Sequence, residues 1–340
     1  MGIQIHFNKF HNRIKLGRED DLYKKARNRD DSIKREVFTE FSNVGYPVVS
    51  DFIQGSLKTH TGIVPISGDY DIDRALVING DKAPENPVTP KKKILNVLEN
   101  RGFKNAKIKK PCVTADYVSD NVHIDFIVYK RWYSQLYLAV GKENSDENNR
   151  EWSISDPHGL TNWINSDAGY IEAEYLSQFR RLVRYLKRWR DVQFSRSIAA
   201  KVFSIGLTVM VKEQFSWSFS TEGEAQDLQA LIDTVDNILN ANYFTVEDSG
   251  RYRIRVMLPV SPYRDIFHGS GLDTGTQFRN KLSSLKHKLV EVEGLSDEYK
   301  QCDILNTLFG SDFKVSDPPS GGKKTARYAS AGIVTSSTGA

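Results

Sequence analysis

The sequence predicts an α+β protein: a mixed sheet with flanking helices, then a mainly helical lobe, with a cleft between them. Three observations carry this. Strand-like and helix-like segments interleave up to residue 150, helical periodicity dominates from 151 to 314, and residues 315–340 lose periodicity and turn small and polar. The 340 residues, 39% hydrophobic and 11% aromatic, suffice for a core in each of the first two parts, which excludes a disordered or fibrous chain. No apolar run approaches about eighteen residues, and the N-terminus lacks the apolar stretch and small residues of a secretory signal. A soluble, cytoplasmic protein with no membrane partner is expected. Cys112 and Cys302 lie too far apart in sequence to form a zinc cluster by themselves, and a reducing compartment fits. The net charge of +4, from 47 basic and 43 acidic residues, is too small to imply a nucleic-acid coat but leaves room for a local basic cluster.

The elements follow in chain order. Roughly the first twenty residues show no clear period. Leu22, Ala26, Ile33, Val37 and Phe41 recur at about helical spacing and predict a helix from Asp20 to Ser42, expected to span both lobes. After Gly45-Tyr46-Pro47, residues 48–53 and 70–78 read as strands separated by Gly55-Ser56 and a loop. Thr89-Pro90 opens a helix to Arg101. Strands are predicted at 106–117, 122–129 and 135–140. Beyond them come a short helix near 160–164 and a long one over 171–191, whose Tyr175, Leu176, Phe179, Leu182, Val183, Leu186 and Trp189 form an apolar stripe. Helices over 197–214, 227–240, 277–293 and 296–308 and a strand at 252–258 complete the lobe.

The chemistry is suggested by three carboxylates. Along a strand, Asp71 and Asp73 project from one face ~6.6 Å apart. In 122–128 the apolar Val122, Ile124, Phe126 and Val128 share a face, leaving His123 and Asp125 on the other. If the two strands are neighbours, Asp71, Asp73 and Asp125 converge. Each ionised pair at that distance repels by ~2.5 kcal/mol at an effective dielectric of about 20. Divalent cations offer the simplest compensation, and an all-oxygen ligand set favours magnesium or manganese. Two such ions can activate an attacking oxygen and stabilise a departing one at phosphorus. A lone Asp-x-Asp is most often a solvated strand edge, and the nearby Asp69 reads as a turn residue. Gly55-Ser56, fifteen positions before Asp71, adds a glycine that permits close backbone approach and a hydroxyl that can donate to phosphate.

In this order and spacing, Gly55-Ser56, Asp71-Ile72-Asp73 and then Asp125 between apolar neighbours, the sequence resembles the polymerase-β-like nucleotidyltransferase superfamily. The stretches QGSLKTHT from Gln54, SDPHGLTNW from Ser155 and RLVRYLKRWR from Arg181 look like the CD-NTases, the cyclic GMP-AMP synthase/DncV-like enzymes of bacterial CBASS anti-phage systems. The resemblance runs over roughly residues 35 to 310. It implies a nucleotidyltransferase core (1–150), a helical lobe (151–314), a flexible tail (315–340), and nucleotides bound in the cleft. It further implies that Asp71, Asp73 and Asp125 are catalytic residues holding two Mg2+ (or Mn2+) ions, and that Gly55, Ser56, Lys187 and Ser204 bind nucleotide. Next to Ser204 stands Ile205, where animal relatives commonly place a base-stacking tyrosine. The zinc-bearing insertion of the animal DNA sensor is absent, so activation by double-stranded DNA is not expected.

The same resemblance implies a Mg-dependent synthase that joins ATP and a second NTP into a cyclic di- or trinucleotide, releases pyrophosphate, and signals to a separate effector protein in anti-phage defence. Its tail, ending Thr338-Gly339-Ala340, suits ubiquitin-transfer-like accessory proteins acting on Ala340; an ordinary frayed terminus fits equally. Two rival readings stay open: a linear oligoadenylate, RNA-tailing or protein-nucleotidylating transferase, and a catalytically silent nucleotide- or RNA-binding sensor. The presence of all three carboxylates speaks against the sensor. For the basic residues of the long helix a solvated surface competes with function. His123 reads as packing or hydrogen bonding rather than a general base, and Trp163 and Trp189 as core.

Overall fold

The structure, a computed structural model, describes residues 2–17, 20–66, 70–117, 122–166 and 173–315, with Leu22 and Tyr70 described by backbone alone. The expected turn at Asp69 and the tail with Ala340 lie outside these residues. Within the unpatterned N-terminus, Gln4–Ile14 forms helix α1 because Phe7, Phe10 and Ile14, three and four residues apart, bury completely. Ile5, off that spacing, blurs the period in the sequence.

Helix α2 (Asp21–Asn43) leads into β1 (Val48–Ile53), a single turn α3 (Gly55–Lys58) and β2 (Tyr70–Asn79). After α4 (Val88–Asn100) come β3 (Lys107–Ile108), β4 (Val113–Tyr117), β5 (Val122–Trp132), β6 (Gln135–Val140) and β7 (Glu151–Ser155). These strands form one mixed sheet in the order β1-β2-β5-β4-β3, with β6 paired to β5 and β7 to β6. Strands β2 and β5 run parallel and the other pairs antiparallel. The strand expected over 106–117 is therefore two strands and a turn, closed by the Lys109 N–H donating to the Cys112 carbonyl at 2.9 Å. Strand β7 is an edge strand with no buried residue, so no hydrophobic alternation announces it.

Alternation along β2 and β5 decides which side of the sheet does what. Ile72, Leu76, Ile78, Val122, Ile124, Phe126 and Val128 bury against one core with Ala26, Ile33, Val37 and Phe41 of α2 and Ile94 and Leu98 of α4. Arg74, on that side, is held by Asp30 of α2 and Asp51 of β1, with Nε donating to Asp30 Oδ1 at 2.9 Å. The opposite side carries Ala75, Val77, Ile127 and Tyr129 and, nearer the strand starts, the aspartates.

The lobe contains α5 (Pro157–Asn165), α6 (Ala173–Gln193), α7 (Arg196–Ala199), α8 (Ser204–Gln214) and α9 (Asp227–Asn240). The hairpin of β8 (Phe244–Val246) and β9 (Tyr252–Ile254) follows, then α10 (Leu272–Glu293) and α11 (Glu298–Phe309). The expected helix over 197–214 is broken because the Val202 carbonyl accepts from Arg190 Nη1 at 3.0 Å instead of continuing a helical ladder. Phe7, Phe10 and Ile14 of α1 join Trp189, Tyr185, Leu207, Leu231, Phe278 and Phe309 in a single apolar cluster, so the N-terminal helix packs within the lobe. Buried Asp227 locks three helices together: it accepts from Arg181 Nε and Nη2, both at 2.7 Å, and from Tyr185 at 2.8 Å, while its N–H donates to Gln4 Oε1 at 2.6 Å. Among the described residues no helix is long and apolar enough to cross a membrane.

Candidate active site

The parallel pairing of β2 with β5 sets Asp73 opposite Asp125 and Asp71 opposite His123. Side chains at paired positions of neighbouring strands share a face, with backbones ~4.8 Å apart, so Asp71, Asp73 and Asp125 lie on one side of the sheet. They feel one another's charge. Burial, then Asp125 and Asp71, push Asp73 up from 3.8 to about 7. Lys109 and Lys187 oppose that rise. Asp125 accepts from the Thr114 hydroxyl on β4 and lies 3.6 Å from Lys109 Nζ. Among the described residues, no three carboxylates, imidazoles or thiols close into a cage that could hold a metal by themselves. The aspartates instead form a concentrated, partly uncompensated negative patch of hard oxygen donors, which fits divalent ions whose remaining ligands come from a phosphate.

The Gly-Ser turn stands directly against this patch. Gly55 has φ +68°, and a Cβ there would lie 2.0 Å from Asp73 Oδ2. Only a glycine meets both demands. The Gln54 N–H donates to the Asp73 carbonyl at 3.0 Å, and Gln54 Oε1 accepts from Tyr129 at 3.1 Å, which ties the turn to β2 and β5. Burial, moderated by the Gln54 hydrogen bond, raises Tyr129 to about 12, so the phenol remains a donor. The Ser56 carbonyl accepts from the Thr61 N–H at 2.9 Å and closes the turn into the next loop.

That loop receives the basic face of α6, which is docked rather than solvated. Arg184 Nε donates to the Gly62 carbonyl at 3.1 Å, Nη2 to the His60 carbonyl, and Nη1 to His11 Nε2 at 3.0 Å. Burial and then Arg184 hold His11 down to about 3, leaving it a neutral acceptor. Lys187 is buried and donates to the Thr61 carbonyl at 3.0 Å and hydroxyl at 3.1 Å, and Arg188 donates to the Val64 carbonyl. Burial, then Arg190 and Arg184, bring Lys187 down to about 7, while Asp73 acts to raise it. Ser204 opens α8 and accepts from Arg190 Nη1 at 2.7 Å, so Arg190 links Ser204 to the charge at Lys187. Ile205 packs against the lobe core.

Of the residues singled out in the sequence, the structure thus gathers Asp71, Asp73, Asp125, Gly55 and Lys187 around one patch, with Ser56 in the turn and Ser204 reached through Arg190. His123 pairs with Asp116 at 2.7 Å, and Trp189 and Trp163 belong to the lobe core. Thr114, Lys109 and Thr61 went unrecognised. The alternation of Thr114 and Asp116 along β4 could have placed Thr114 beside Asp125, but only once the β4–β5 register was known.

Residues 50–129 match the family model of the cyclic GMP-AMP synthase DncV-like nucleotidyltransferase domain. Two curated cyclic GMP-AMP synthases are similar: that of Escherichia albertii, 27% identical over 173 residues, and that of Vibrio cholerae, 25% identical over 139. These alignments cover 48% and 41% of this chain but only 36% and 29% of the relatives. The chain therefore matches about a third of the length of those proteins. Among solved structures, the Bradyrhizobium diazoefficiens CD-NTase CdnG in complex with GTP superposes with a TM-score of 0.66 at 15% identity, covering 92% of this chain and 97% of that one. Vibrio cholerae DncV in complex with the linear intermediate pppA(3′,5′)pG gives 0.68 at 15%, covering 92% and 96%.

Proposed function

We propose that this chain, which has the CD-NTase fold and a DncV-like nucleotidyltransferase domain at residues 50–129, joins nucleoside triphosphates into a cyclic oligonucleotide with release of pyrophosphate. The observation that carries the reading is the contact of Gly55 with Asp73: a turn suited to phosphate lies against three same-face carboxylates. In this reading the backbone N–H groups and hydroxyl of Gly55-Ser56 bind the donor triphosphate, with Lys187 and Ser204 completing its anionic contacts. Asp71, Asp73 and Asp125 hold divalent ions, magnesium by the chemistry of the donors. When bound, such ions lower the pKa of an attacking hydroxyl and neutralise charge on the leaving phosphates.

A ribose hydroxyl of the accepting nucleotide loses its proton to water as its oxygen bonds the α-phosphorus, the bond between that phosphorus and the bridging oxygen breaks, and pyrophosphate leaves in line. Thr114 orients Asp125 through its hydroxyl, and Gln54 anchors the turn so that Asp73 and Ser56 stay in register. A second transfer within the linear product closes the ring. The solved neighbours hold GTP, ATP or a linear pppA(3′,5′)pG intermediate, which supports ATP and a second NTP as substrates. By its resemblance to the CD-NTases we assign the product to signalling through an effector in anti-phage defence.

Incubation with each labelled NTP and Mg2+, then phosphatase and mass spectrometry, tests the reading. A small phosphatase-resistant product is expected. Asp73→Asn should reduce it more than about 100-fold, since even outer partners of metal ligands cost 10- to 100-fold. In chelator the same variant should melt a few degrees higher, because it removes a carboxylate that its neighbours repel. Products that phosphatase degrades completely would replace the cyclase with a linear transferase, and no NTP consumption would sink the enzyme reading.

A further inference from the structure

We infer that Lys109 binds the phosphates of the second, accepting nucleotide. The inference rests on the nucleotidyltransferase reading and adds to it a place for the second substrate. In the sheet order β1-β2-β5-β4-β3, the Gly55-Ser56 turn follows β1, Asp73 stands on β2, Asp125 on β5, and the 109–112 turn joins β3 to β4. The phosphate turn and Lys109 therefore flank the aspartates from opposite sides. In-line displacement places the attacking oxygen across the α-phosphorus from the departing pyrophosphate. With the donor's pyrophosphate on the Gly-Ser side, the accepting nucleotide must approach from the β4 and β3 side, where its own phosphates need a cation.

Lys109 meets that need. Its ammonium lies 3.6 Å from Asp125 Oδ1, yet 43% of its side chain is exposed, so it is near the reacting centre and open to a solute. Of the α6 cations near the loop, Arg184 and Arg188 donate to carbonyls of residues 60–64, and Lys187 belongs to the donor side in the proposed reading.

The turn carrying Lys109 is also built to stay still. Lys91 of α4, with no exposed surface, donates to the carbonyls of Lys109 at 2.8 Å, Lys110 at 2.9 Å and Gly141 at 2.6 Å. Burial lowers Lys91 to about 8, so a costly buried ammonium is spent on fixing this backbone. An ordinary surface lysine has no such support.

The test is titration calorimetry of the full chain with Mg2+ and non-reacting NTP analogues carrying a methylene between the α- and β-phosphorus. Wild type is expected to take up two equivalents. Lys109→Ala should keep one at wild-type affinity and weaken the other about 10- to 100-fold, the worth of a charged hydrogen bond. Lys109→Arg should retain both within a few fold. If Lys109→Ala binds both equivalents as wild type does, the lysine only offsets the aspartates; the inference falls and the enzyme reading stands. Loss of both equivalents at an unchanged melting temperature would put Lys109 with the donor and equally overturns it. A wild-type chain that binds one equivalent overturns the inference alone, and one that binds none overturns both.

Discussion

At Gly55 two independent requirements meet in one residue. Its φ of +68° costs an L-residue about 1–2 kcal/mol, and any Cβ would displace the Asp73 carboxylate. Gly55→Ala should therefore lower stability by about that amount in urea unfolding while abolishing nucleotide turnover; a variant as active as wild type would show that the turn and Asp73 can move independently. The strand face of each aspartate was legible because alternation is local, one residue in two facing the same way; that β2 and β5 are neighbours, which brings the three together, was not. Lys109 and Thr114 were not legible, because their approach to Asp125 depends on a turn at 109–112 and on the β4–β5 register. The basic face of α6 was legible as charge. That its charges cap backbone carbonyls instead of facing water follows only from where the 60–64 loop passes.

Among the elements, α1 was the largest surprise. Its apolar residues bury in the helical lobe, where Phe10 contacts the rings of Tyr185, Phe309 and Phe313 at centroid distances of 5.1–5.2 Å. Phe10→Ala should cost about 3–5 kcal/mol in chemical denaturation by removing a fully buried ring. A cost under about 1 kcal/mol would mean that α1 is not integral to this core. The long periodic helices α2, α6 and α9 were read to within about two residues, since each carries a full apolar stripe and needs no partner to be recognised. Strands β7 and β8 escaped because an edge strand of five residues and a pairing of three have no buried face to pattern. The interruption between α7 and α8 lacks glycine and proline; it comes from Arg190 taking the Val202 carbonyl, a contact from another helix.

For the whole molecule, the 60–64 loop is the joint between sheet and lobe. The Leu16 N–H donates to the Gly62 carbonyl at 3.2 Å and the Val64 N–H to the Ile14 carbonyl at 2.8 Å, while Arg184, Lys187 and Arg188 hold the same loop from α6. The loop begins where the Gly-Ser turn ends, so the lobe reaches that turn through it. Burial and then Arg180 bring Arg184 down to about 10, still a cation at neutral pH. Arg184→Ala leaves two carbonyls without this donor. Amide exchange of residues 60–64 should quicken at least about tenfold, the equivalent of 1.4 kcal/mol, and nucleotide affinity should fall with it. Unchanged exchange would mean that the pairing to residues 14–16 holds the loop unaided.

The sequence by itself determined the class of fold, the long helices, the central strands and the strand face of each aspartate, because helical and strand periods are set within a few residues. Tertiary structure alone decided that β2 and β5 are neighbours, that Lys109 lies beside Asp125, that α1 belongs to the lobe, and how the Gly-Ser turn is braced. Those outcomes depend on contacts such as Lys91 with Lys109 and Lys110, Arg184 with Gly62 and Asp227 with Gln4. Their partners lie from 18 to 223 residues apart, and no local pattern of polarity encodes a meeting at that range.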